Sequence, residues 1–235
     1  MSLAREARRE EELGKPGLWR LLGELELVTE PARRPFRRLE VKRARNPSTI
    51  MILPGFATAP RRMRYLAQHL ELAGHQTKSW GTGYNWGPDE ALFSQLDARL
   101  AKLHARTGEK LVLLGWSLGG IFARELAKRN REAVTKVITM GTPFSGSLRA
   151  NNAWRLYQFV TGTRVDEPPI KADIPAKPPV ETVAMWSARD GAIAPHSAAG
   201  LPGERDRAIP VSCTHSGYTY SREAIEAVLT ELDRA

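Results

Sequence analysis

From residue 49 onward the apolar positions of this chain alternate between two kinds of run. Short, nearly unbroken runs occur at 49–53 (TIMIL), 111–115 (LVLLG) and 134–140 (VTKVITM), with the length and branching of strands buried on both faces. Three further segments, 76–80, 181–187 (ETVAMWS) and 208–213 (AIPVSC), read as strands as well. Between these runs the apolar residues recur at helical spacing. Met63, Leu66, Leu70 and Leu72 mark a helix over 60–73 that stops at Gly74, and Leu92, Leu96, Leu100 and Leu103 mark one over 89–106 opened by Pro88-Asp89. Segments 118–130 and 221–234 complete the set. Strands alternating with helices predict an α/β fold with a doubly wound, mostly parallel sheet, in which functional loops gather at the carboxyl ends of the strands.

Two stretches break the alternation. Residues 1–45 form an extension with a charged helix over 3–13 and a second helical pattern over 18–28 (Leu18, Leu21, Leu22 and Leu25). A basic, proline-punctuated run, PARRPFRRLEVKRAR, follows. The extension either packs on the domain, burying Trp19 and its leucines, or serves as a surface arm that contacts an anionic membrane or a partner. The main domain is expected over 46–235. Residues 144–180 are too long for a plain connection, and the helical piece NNAWRLYQFVTG followed by EPPIKADIPAKPP reads as a short cap.

The chemistry concentrates after the strand at 111–115. There the chain reads Gly115-Trp116-Ser117-Leu118-Gly119-Gly120 and passes directly into a helix. A serine on a sharp strand-to-helix turn has its Oγ pushed out of the sheet, and the glycines two positions away leave room for the turn to close. The same turn puts Oγ near a helix N-terminus, where developing negative charge is favoured. Ser117 is therefore the candidate nucleophile. The backbone N–H of Leu118 is a candidate donor to the oxyanion of an acyl-transfer reaction.

This segment resembles the nucleophile elbow of bacterial α/β-hydrolases of the lipase/esterase type, and four other pieces match that family in order. They are Leu53-Pro54-Gly55-Phe56, Gly141-Thr142-Pro143-Phe144, Ser187-Ala188-Arg189-Asp190-Gly191 and Thr214-His215-Ser216-Gly217, and with the elbow they span 49–220. The chain departs from the family pattern at Pro54, where His is usual, and at Phe144, where His is usual. The resemblance implies a small α/β-hydrolase fold and places the acid at Asp190 and the base at His215, in the order Ser, acid, His. Asp206 sits in the charged turn GERDR and His196 precedes the expected place of the base. By the same resemblance the second oxyanion donor is the backbone N–H of Phe56. Trp116, Phe144, Trp154 and Tyr157 are candidates for the wall of an acyl pocket. No clamp of paired arginines is visible near the motifs, so the expected substrate is a small lipophilic ester. The expected activity is carboxylic-ester hydrolysis through an acyl-enzyme. Acyl transfer with the same triad, and a silent binding protein on the same scaffold, are the alternatives.

Composition narrows this picture only slightly. Hydrophobic residues make up 42% and charged residues 26% of the 235, which fits one globular domain and excludes a disordered chain. The net charge of +9 invites a nucleic-acid partner, but the basic residues are interspersed with acids and no zinc-finger or RNA-binding signature is present, so none is expected. No ligand spacing for a metal and no cofactor motif is visible. Cys213 is the single cysteine, the start of the chain lacks a secretory pattern, and no apolar run reaches the about 20 residues of a membrane span, so a cytoplasmic protein is expected.

Overall fold

The structure is a computed structural model that describes residues 39–146 and 173–234. Its elements in order are β1 (Thr49–Leu53), a 3₁₀ turn (Pro60–Met63) running into α1 (Arg64–Leu72), β2 (Gln76–Ser79), α2 (Glu90–Thr107), β3 (Leu111–Trp116) and α3 (Leu118–Arg129). Then come β4 (Val134–Met140), β5 (Glu181–Trp186), a short α4 (Pro195–Ala199), β6 (Arg207–Pro210), a 3₁₀ turn (Ser216–Thr219) and α5 (Arg222–Leu232). The six strands form one sheet in the order β2-β1-β3-β4-β5-β6, and every pairing is parallel.

The two-residue period of the strands divides the core in two. Ile50, Ile52, Val112, Leu114, Ile138 and Val183 face one side and pack with Met63, Leu66 and Leu70 before and along α1 and with Ile225 and Val228 of α5. Met51, Leu53, Leu111, Leu113 and Val137 face the other side, against Leu96, Leu100 and Leu103 of α2 and Phe122 and Leu126 of α3. Each fully buried aliphatic side chain contributes about 1.5–3 kcal/mol, so both helix layers are held by burial, with local propensity secondary. Side-chain caps fix two helix starts. Asp89 accepts from Leu92 N–H at 2.6 Å before α2, and Ser221 accepts from Ala224 N–H at 3.2 Å before α5.

Two boundaries differ from the sequence reading. The last strand, expected over 208–213, ends at Pro210, where the chain leaves the sheet toward His215. The stretch around His196, to which the sequence reading assigns no helix or strand, contains the five-residue α4. Of the N-terminal extension, residues 39–45 are described and lie on the domain: Ala44 N–H donates to Ala73 O at 2.8 Å and Arg45 N–H to Asp233 Oδ1 at 3.0 Å. The helical patterns at 3–13 and 18–28, and the cap interior with Trp154 and Tyr157, lie outside the described residues.

Candidate active site

Ser117 stands between β3 and α3 with φ 54° and ψ −125°, a conformation that costs a non-glycine residue about 1–3 kcal/mol. Two hydrogen bonds hold it there: Ser117 N–H donates to Met140 O at 2.9 Å and Gly120 N–H to Ser117 O at 2.9 Å. Packing leaves no alternative to the small neighbours. A Cβ on Gly115 would overlap the backbone of Gly119 and Gly120, and one on Gly119 would overlap the carbonyls of Leu53 and Pro54. The Ser117 hydroxyl makes no capping bond to α3.

The candidate acid, Asp190, and the candidate base, His215, lie on the loops after β5 and β6. Asp190 is 1% exposed, and its Oδ2 sits 2.8 Å from His215 Nδ1. Its Oδ1 accepts from Ala192 N–H and Ile193 N–H, both at 2.8 Å, which fixes the carboxylate plane. With Nδ1–H donating to Asp190, the neutral ring keeps its lone pair on Nε2. The ring lies 5.4 Å from that of Trp116, the residue before Ser117, and Trp116 Nε1 donates to His215 O at 3.0 Å. Ser187 couples the two loops: its Oγ donates to Cys213 O at 2.6 Å and accepts from Arg189 N–H at 3.0 Å. Asp206 lies at the other end of the sheet, where its carboxylate accepts from Thr182 N–H at 2.8 Å and pairs with Lys177 at 2.7 Å. Burial raises its pKa, but the bonds from Lys177 and Thr182 outweigh that and leave it below the usual value.

The loop after β1 approaches Ser117 closely. A Cβ on Gly55 would lie 3.0 Å from the Trp116 ring and 3.2 Å from Ser117 Cβ, so a side chain here would press on both residues, which would have to give way slightly. Phe56 follows directly, and Leu118 begins α3, so their backbone N–H groups belong to the two segments that flank Ser117. Thr58 and Asn85 carry hydrogen bonds in this region and had no motif to announce them, whereas Ser187 stands in the piece that carries Asp190.

The remaining candidates fall at different depths. Trp116 is 5% exposed, with its ring beside that of His215. Phe144 is 1% exposed, with the Arg124 guanidinium 4.1 Å from its ring, so packing accounts for it without a substrate. Arg124 is itself fully buried. It donates to the carbonyls of Ile174, Pro175, Ala176 and Glu204, and burial, opposed by Glu204 and Glu125, lowers its pKa to about 10. Arginines absent from the motifs do stand at this face: Arg62 lies 5.9 Å from the Trp116 ring and Arg61 5.5 Å from that of Tyr84. Among the described residues no group of three or more His, Cys, Asp or Glu could hold a metal, and no helix is long and apolar enough to cross a membrane.

Residues 49–162 match the family model described as lecithin:cholesterol acyltransferase. No curated protein matches the chain. Among solved structures, lipase B of Aspergillus fumigatus superposes with a TM-score of 0.59 at 14% identity, over 81% of this chain and 53% of that one. This chain thus spans about half the length of that lipase. A membrane phospholipase A described as a bacterial virulence factor gives a TM-score of 0.56 at 15% identity, over 82% of this chain and 80% of the other. A monoacylglycerol lipase of Paleococcus ferrophilus gives 0.57 at 13% identity, over 82% and 96%. The chain has the α/β-hydrolase fold that lipases and esterases use.

Proposed function

We propose that this protein is a serine hydrolase that cleaves carboxylic esters, with Ser117 as nucleophile, His215 as base and Asp190 as acid. The observation that carries the reading is the 2.8 Å bond between Asp190 Oδ2 and His215 Nδ1, made beside a serine held in the elbow conformation. In the proposed reaction Ser117 Oγ attacks the ester carbonyl while His215 Nε2 takes its proton. The carbonyl oxygen becomes an oxyanion, received by the N–H groups of Phe56 and Leu118. Collapse breaks the ester C–O bond, the alcohol leaves with the proton from His215, and the acyl group stays on Ser117. Water, deprotonated by His215, then releases the carboxylic acid and restores the serine.

A lipophilic acyl chain suits the aromatic residues proposed for the pocket, Trp116 with Trp154 and Tyr157. The match to an acyltransferase family model over 49–162 favours, as a second reading, delivery of the same acyl group to an alcohol in place of water. The proposed compartment is the cytoplasm, where the single buried thiol Cys213 needs no disulfide partner. The test is a fluorophosphonate probe followed by a p-nitrophenyl ester series. Labelling at Ser117 with release of p-nitrophenol is expected, and Ser117→Ala abolishes both. Turnover by Ser117→Ala within tenfold of the parent would refute the assignment. Product analysis in mixed water and alcohol distinguishes hydrolysis from transfer.

A further inference from the structure

We propose that Thr58 and Asn85 are the positioning residues of the oxyanion hole, and that together they set the direction in which the Phe56 N–H points. The proposal rests on the hydrolase reading above and on Phe56 as a donor. The carbonyl of Gly55 and the N–H of Phe56 belong to one planar peptide unit, and no described peptide bond is cis, so the two groups point in opposite directions. Whatever grips the carbonyl therefore aims the N–H. Thr58 Oγ1 donates to Gly55 O at 2.7 Å. A donor on that carbonyl also polarises the peptide unit and strengthens its N–H as a donor.

Thr58 is held in turn by Asn85, which is fully buried. Asn85 N–H donates to Thr58 O at 3.0 Å, and Ala57 N–H donates to Asn85 O at 2.7 Å. The Asn85 side chain reaches the peptide unit on the other side of Gly55, where Nδ2 donates to Pro54 O at 2.8 Å; its Oδ1 accepts from Gly87 N–H at 3.1 Å. Both peptide planes flanking Gly55 are thus clamped, one by the Thr58 hydroxyl from within the loop and one by the Asn85 amide from outside it. Between Phe56 and Thr58, Ala57 keeps φ at 54°, a left-handed value that a non-glycine residue holds only when its surroundings over-determine it. A plain surface turn needs none of these bonds to a buried side chain. A loop that must present one N–H in a fixed direction needs them all.

The experiment compares Thr58→Val, which keeps the volume and removes the donor, with Thr58→Ser, which keeps the donor. On p-nitrophenyl butyrate the valine variant should lose at least tenfold in kcat with KM within threefold. The serine variant should return to within about threefold of the parent kcat. The affinity for butylboronic acid, whose tetrahedral adduct on Ser117 directs an oxygen into the hole, should fall for Thr58→Val by the same factor as kcat/KM. Asn85→Ala should lose kcat in the same manner, and if it fails to fold the Thr58 pair still decides. An active parent with a Thr58→Val variant of equal kcat, a loss confined to KM, or a loss that serine does not restore would overturn this proposal alone. A parent that neither reacts with fluorophosphonate nor hydrolyses the ester would overturn the hydrolase reading and this proposal together.

Discussion

Replacing Gly141 by Ala tests the acid–base pair from beneath. Gly141 follows β4 with φ 54°, and a Cβ there would stand 2.6 Å from Tyr218 Cε2, 3.0 Å from Asp190 Oδ2 and 3.1 Å from His215 Nδ1. The left-handed backbone costs an L-residue about 1–2 kcal/mol. Crowding Tyr218, whose side chain is fully buried, adds about 1–3 kcal/mol as overpacking. The total, roughly 2–5 kcal/mol, is below the about 5–15 kcal/mol that holds a typical domain together, so the variant still folds. At about 2–4 °C per kcal/mol for a chain of this size, the melting temperature should fall by roughly 4–20 °C. Activity should fall more than stability accounts for. The new methyl pushes on both partners of a 2.8 Å bond, and a misaligned imidazole loses up to about 10⁴ in kcat. Differential scanning fluorimetry with ester kinetics well below the melting temperature reads both effects. A melting temperature within about 2 °C of the parent and kcat within threefold would refute the claim that this glycine makes room for the pair.

Three further outcomes follow from other contacts. Asp190→Asn should lower kcat by about 10³–10⁴ and Asp206→Asn by less than threefold, because Asp206 bonds Thr182 and Lys177 and not His215; a larger kinetic loss at Asp206 contradicts this. Arg124→Met should destabilise the fold by about 3 kcal/mol or more in urea titration, since four part-buried carbonyls lose a charged donor; a change under about 1 kcal/mol would show that water replaces it. His75 accepts from Ser48 N–H at 3.1 Å, and burial, partly opposed by Asp233, lowers its pKa below 6.5. The unfolded chain therefore binds the proton first, and this contribution to stability is lost as pH falls from about 6.5 toward the folded value. His75→Gln should flatten that acid limb of a stability–pH curve, and an unchanged limb would exclude His75 as its source.

The central strands were legible because they are buried on both faces and so carry uninterrupted apolar runs. Ser117 was legible because its turn demands glycines at fixed spacing. β6 was placed too far along: its pairing with β5 closes with Pro210 opposite Trp186 and Val211 N–H donating to Trp186 O at 2.9 Å, and Cys213 is buried in the core beyond that last bond. The short α4 spans five residues, too few for a helical period to register. Thr58 and Asn85 stayed hidden for a different reason. They act by hydrogen-bonding backbone carbonyls, Thr58 within its own loop and Asn85 from 31 residues away, and such bonds impose no residue pattern. Arg61 and Arg62 reach the active-site face from a turn that the motifs do not include.

The contact of Gly119 with the carbonyls of Leu53 and Pro54 has a consequence for timing. It brings the start of α3 and the loop after β1 backbone to backbone, so the N–H groups of Leu118 and Phe56 stand on two segments that cannot slide past each other while the domain is folded. On the proposed reading, donors fixed in this way do not reorient when charge appears on a substrate oxygen. Their alignment is then completed once, when the chain folds, and every proposed turnover begins with it already in place. A rate measured from low temperature up to the edge of unfolding should show no break from this part of the molecule, because the proposed hole would have no separate opening or closing to become slow.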